Sequence, residues 1–111
     1  MVIDMMMMRD IEFLGPEPLG YGLPDHSGIY LVCTESSGGI RILGVYGAND
    51  MRKDILENPF SKDWKGYEDN CGLFVYWSEE LPYDTVQTKV WDIISTRPYP
   101  VPCVKRLEDD W

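Results

Sequence analysis

Histidine and cysteine are scarce in this chain. One histidine, His26, and three cysteines, Cys33, Cys71 and Cys103, stand among 111 residues. The cysteines form no Cys-x-x-Cys pair, so the ligand spacing of a structural zinc site is missing. They read as small buried thiols of a reducing compartment, and no disulfide is expected. Long apolar runs are lacking too. No stretch approaches 18 consecutive apolar residues, which excludes a membrane-spanning helix from the expectations. The Met5–Met8 run is short, follows Asp4 and lacks a basic leader, so it reads as a loosely packed terminus rather than a secretory signal. A cytoplasmic location is the expectation that follows.

Positive charge is also in short supply. Ten Lys and Arg face nineteen Asp and Glu, a net charge of −9. The shortage is uneven. Between residues 41 and 65, five basic side chains meet four acidic ones, and the remaining five basic residues meet fifteen acidic ones. A duplex-binding protein needs clustered Lys and Arg on one face. The composition excludes that strong footprint and leaves room for a weak contact face on an acidic body.

What is present is the make-up of one globular domain over residues 1–111, with 44% hydrophobic and 26% charged residues close to the usual balance. Its centre is the stretch 28–47. Two runs rich in β-branched and aromatic residues, 28–34 and 40–47, flank the turn formers Glu35-Ser36-Ser37-Gly38-Gly39. That pattern predicts a β-hairpin. In the first run Ile29, Leu31 and Cys33 alternate with Tyr30, Val32 and Thr34, so both faces are apolar, as in an interior strand. Period-two alternation in the second run puts Ile40, Ile42 and Tyr46 on one face and Arg41, Leu43 and Val45 on the other.

Downstream, Asn49 is expected to cap a helix over 50–57, with Met51 and Ile55 on its buried side. Asn58-Pro59 ends it. Residues 58–70 read as a loop whose Phe60, Trp64 and Tyr67 pack over the core rather than forming a base-stacking platform. Residues 71–78 form the strongest strand signal. Asp84 and Gln87 open a second helix over 85–95, with Val86, Val90, Ile93 and Ile94 as its apolar stripe. Upstream, residues 1–27 read as irregular because Pro16, Pro18, Gly20, Gly22 and Pro24 interrupt any pattern, with at most a brief edge strand at Ile11, Phe13 and Leu14. Pro98, Pro100 and Pro102 make the tail extended, and residues 104–111 read as a loose acidic end. The expected fold is α+β: a small three-stranded antiparallel sheet, hairpin 28–47 plus strand 71–78, flanked by two or more helices.

This order, with Gly28-Ile29-Tyr30 opening the hairpin, Val45-Tyr46-Gly47 closing it before a helix, and Val75-Tyr76-Trp77 followed by a helix and Tyr99-Pro100-Val101-Pro102-Cys103, resembles the GIY-YIG nuclease-like family over residues 28–103. The resemblance implies a catalytic set of Tyr30, Tyr46 and Arg52, with Asp92 as metal ligand and Mg or Mn as cofactor. The chain departs from the family pattern at the chemistry. The family's second tyrosine position is Val45, and Tyr46 lies one residue later, which sends its phenol to the opposite face unless a bulge intervenes. The family's arginine position is Ile55, with Arg52 three residues earlier. Its glutamate, before Ile93-Ile94, is absent, and Asp92 is a shorter, displaced substitute. Phosphodiester cleavage needs a cation on the phosphoryl oxygens, an arginine on the developing charge and a base. Tyr30 alone cannot supply all three. Each residue also has an ordinary role: Tyr30 as an interior strand tyrosine, Arg52 and Asp92 as solvated helix residues, His26 as a loop residue.

The expectation is therefore a degenerate member of that family without nuclease activity or cofactor, a binding or accessory module for a protein partner or weakly held nucleic acid. The alternatives are a divergent Mg- or Mn-dependent endonuclease using Tyr30, Arg52 and Asp92, and an acidic inhibitor or antitoxin-like protein that mimics nucleic-acid charge.

Overall fold

In the computed structural model of the chain, residues 6–8, 11–36, 39–66, 72–95 and 101–102 are described. They form five strands, β1 (Met6–Met8), β2 (Ile11–Pro18), β3 (Gly28–Ser36), β4 (Gly39–Ala48) and β5 (Leu73–Ser78). Three helices, α1 (Met51–Glu57), α2 (Ser61–Lys65) and α3 (Tyr83–Ser95), complete the described elements. The strands make one antiparallel sheet in the order β1-β2-β5-β3-β4. The class is α+β, as the pattern predicts, with the hairpin and the later strand at its centre.

Strand β3 lies between β4 and β5, and its two apolar faces feed two cores. Ile29, Leu31 and Cys33 join Val45, Val86, Val90 and Ile93 beneath α3. Tyr30 and Val32 join Met51, Ile55, Trp64 and Trp77 beneath α1 and α2. The sheet is thus the middle of three layers, and the β-branched and aromatic residues of β3 are all but inaccessible to solvent.

The hairpin is not regular. Val32 opposes Gly44 but Cys33 opposes Ile42, so Leu43 is the extra residue of a β-bulge. The bulge reverses the alternation along β4. Ile42 faces the α3 core, whereas Tyr46 packs with the α1 core. This corrects the expectation that Ile42 and Tyr46 share a face.

The sheet is also larger than three strands. Residues 6–18, expected to be irregular, supply β1 and β2, and β2 pairs with β5 from Phe13↔Ser78 to Pro18↔Phe74. Pro16 does not break it because the register shifts between Leu14 and Glu17 and leaves that proline out of the ladder, and Pro18, opposite Phe74, is the last residue of the strand. Gly15 in that shift has φ 122° and sits where a Cβ would meet the Val75 carbonyl oxygen at 2.7 Å.

Helix α1 is capped one residue later than expected: the Asp50 carboxylate accepts from Lys53 N, and Asn49 precedes the cap. The segment 58–70 contains α2, and Trp64 on it is 2% exposed. Tyr67 lies outside the described residues. Helix α3 starts at Tyr83, so Asp84 is in its first turn rather than capping it. Gly47 lets α3 approach β4 closely, since a Cβ there would stand 2.1 Å from Val86 Cγ1. The apolar stripe of α3 is as expected, with Val86, Val90 and Ile93 buried and Ile94 packed beside them. Val101 is buried against the same core, while the other tail positions, 98–100 and 103–111, lie outside the described residues. So do Cys71 and Cys103. Cys33 is fully buried, and no disulfide occurs among the described residues. No described helix is long and apolar enough to cross a membrane.

Candidate functional site

Tyr30 and Tyr46 are direct partners across β3 and β4, with ring centroids 5.2 Å apart. Partners in an antiparallel pair project to the same face, so the register alone puts both phenols toward α1. Helix α1 then supplies the groups that meet them. With Met51 and Ile55 turned into the core, Asp54 and Asn58, four apart, fall together on the side facing Tyr30.

The hydroxyl of Tyr30 donates to Asp54 Oδ2 at 2.6 Å and accepts from Asn58 Nδ2 at 2.8 Å. Asn58 Oδ1 in turn accepts from Phe60 N at 2.8 Å, which fixes the amide orientation and the chain reversal after α1. Trp64 Nε1 donates to the Tyr46 hydroxyl at 2.9 Å, and Phe60 stacks on Tyr46 at 5.9 Å. Among the described residues every buried side-chain nitrogen and oxygen has a partner. Burial first, and then the hydrogen bond to Asp54, push the Tyr30 pKa far above the ordinary phenol value, with the Asn58 amide opposing. The phenol therefore holds its proton.

Beside this network lies a cleft of about 240 Å³. Val45 belongs to the α3 core and Tyr46 packs with the α1 core, yet both line it. A cleft touching both layers runs across the outer edge of β4, the last strand of the sheet order. Asp54, Asn58 and Phe60 wall it on one side, and Gln87, Trp91 and Ile94 of α3 on the other.

Arg52 and Asp92 are not brought to this place. Arg52 is two residues before Asp54, roughly 160° around the helix from it at about 100° per residue. Its Nε donates to the Leu23 carbonyl at 2.9 Å, and its backbone N donates to the Pro24 carbonyl at 3.1 Å. The arginine pins the loop before β3 instead of facing the phenols. The family's arginine position, Ile55, is buried in the core. On α3 the cleft takes Gln87, Val90, Trp91 and Ile94, and Asp92 falls on the far side of the helix from that arc. His26 stays in the loop, its Nδ1 3.0 Å from the Ser27 carbonyl oxygen.

Neither a family model, nor a curated protein, nor a solved structure matches the chain.

A magnesium ion of the kind the resemblance implies takes one or two carboxylates from the protein and fills its other positions with water and substrate phosphate. Among the described residues no three His, Cys, Asp or Glu side chains gather. The carboxylate at the cleft is Asp54, and one of its oxygens is engaged by Tyr30. Asp54 and Asn58 are site residues that the sequence motifs did not single out, and Phe60 was expected only to pack over the core. The signal for them is the polar i, i+4 pair Asp54–Asn58 flanking the apolar pair Met51–Ile55.

Proposed function

We propose that the chain is a binding module on a GIY-YIG-like frame, without phosphodiester cleavage. The hairpin, helix, strand and helix follow one another as the resemblance implies, and Tyr30 and Tyr46 converge. The observation that carries the reading is the hydrogen bond from the Tyr30 hydroxyl to Asp54 at 2.6 Å. A buried phenol that donates to a carboxylate is a poor proton acceptor at neutral pH, because its own proton would have to leave first. The cleft beside it carries a carboxylate, and no Lys, Arg or His among its described lining residues would meet a phosphate.

The test is incubation of the purified chain with supercoiled plasmid and Mg or Mn, beside Arg52→Ala. Plasmid left intact by both supports the reading. Mg- or Mn-dependent cleavage by the unaltered chain overturns it in favour of a divergent endonuclease, and loss of that cleavage in Arg52→Ala assigns the arginine a part in it.

A further inference from the structure

The lining of the β4-edge cleft restricts the chemistry of what it can hold. Its described charged side chain is Asp54, which is partly buried and held in place by Tyr30. An ionised carboxylate offers about four lone-pair sites. Tyr30 engages one oxygen, so Asp54 keeps acceptor capacity for a second donor. Phe60, stacked on Tyr46, and Trp91 contribute aromatic rings to the same cleft. A cation over an aromatic face is attracted by the ring quadrupole, and more strongly where water is excluded. Val45, Val90 and Ile94 give an apolar wall for a hydrocarbon stem.

We propose that this cleft binds an organic cation, a guanidinium or substituted ammonium group on an apolar stem. The proposal rests on the chain being a binding module. Size agrees, since about 240 Å³ lies below the roughly 300–1,000 Å³ of drug-sized ligand sites and suits a single side-chain head. Charge agrees as well. Asp54 is the charged side chain of the described lining, and its sign favours a cation over a phosphate; the net charge of −9 lies outside residues 41–65 and adds nothing local. Rings and one carboxylate select for positive charge together with apolar surface, a pairing that a bare metal ion does not offer.

Calorimetric titration tests this with four probes. Methylguanidinium and tetramethylammonium represent free small cations. N-acetyl-arginine methylamide represents a side chain on a protein partner. N-acetyl-norleucine methylamide, an uncharged stem, is the control. Saturable binding of either cation class, with the control at least tenfold weaker, supports the proposal, and the preferred probe identifies the source. Asp54→Asn keeps an acceptor for Tyr30 and removes the charge, so it is expected to weaken binding tenfold or more. Phe60→Leu, which leaves Asp54 intact, is expected to weaken it several-fold while the protein stays folded at the titration temperature. Binding of norleucine as tight as that of the cations, or cation affinity undiminished in both variants, overturns the proposal. The plasmid assay on the same preparation separates the two levels. Absence of both cleavage and cation binding overturns this inference alone, whereas plasmid cleavage overturns the module reading and this inference with it.

Discussion

Tyr30 and Tyr46 face one another across β3 and β4 at 5.2 Å, on one side of the sheet, because a bulge at Leu43 resets the alternation of β4. Without it Tyr46 would follow Ile42 into the α3 core. With it, both phenols reach the groups carried by α1 and α2. A single extra residue thus decides which layer owns the second tyrosine.

Tyr30→Phe removes a donor to Asp54 and an acceptor for Asn58 at once. The expected loss is about 1–3 kcal/mol, measured by urea unfolding. The same phenol makes stability depend on high pH. Its folded pKa is raised and its unfolded pKa is about 10. The folded state therefore binds more protons above that value, and stability falls as pH rises through about 10 and beyond. The contribution is fully present below it. Alkaline titration followed by tyrosinate absorbance is expected to show a step that appears only on unfolding, and Tyr30→Phe is expected to reduce that step by one tyrosine.

Tyr46→Phe leaves the Trp64 indole N–H in place without its acceptor. Trp64 is 2% exposed, so water replaces the hydroxyl poorly. A loss of about 1–3 kcal/mol is expected. Pairing it with Trp64→Phe in a double-mutant cycle is expected to give a non-additive total. Additive losses would show that the bond contributes nothing.

Gly47 and Val86 make a steric prediction. Gly47→Ala puts a methyl group against Val86 Cγ1 and is expected to cost about 1–3 kcal/mol. Val86→Ala opens that space while leaving a small cavity of its own. The double variant is expected to be more stable than the sum of the single losses, as read from thermal or urea unfolding.

The centre of the fold was legible because Tyr30-Leu31-Val32 and Phe74-Val75-Tyr76 carry their own strand preference, and Met51–Ile55 and Val86–Val90–Ile93 their own helical spacing. Strand β2 was hidden by Pro16 and Pro18. A proline argues against a ladder in general; here the register shift between Leu14 and Glu17 sets Pro16 aside, and Pro18 closes the strand. Bulges are settled by packing between strands, so the face of Tyr46 could not be read from the spacing of one strand. Arg52 and Asp92 were chosen by their distance from motif residues in the chain. Their actual sides were fixed by what Met51 and Ile55, or Val90 and Ile93, had to bury.

The start of α1 gives a last prediction that separates two neighbouring residues. Asn49 and Asp50 both belong to the types that cap helices, and sequence alone favours the first of them. In the structure Asp50 has the extended backbone of a cap, at φ −141° and ψ 99°, and its Oδ1 accepts from Lys53 N at 3.1 Å. Asp50→Ala is expected to cost about 1 kcal/mol, through the lost acceptor and the lost negative charge at the helix N-terminus. Asn49→Ala is expected to change stability by less than about 0.5 kcal/mol. Urea unfolding of the two variants beside the unaltered chain checks it. Because α1 carries Asp54, fraying of its first turn is also expected to loosen the carboxylate beside the cleft. Asp50→Ala should then speed amide exchange around Asp54 while Asn49→Ala does not.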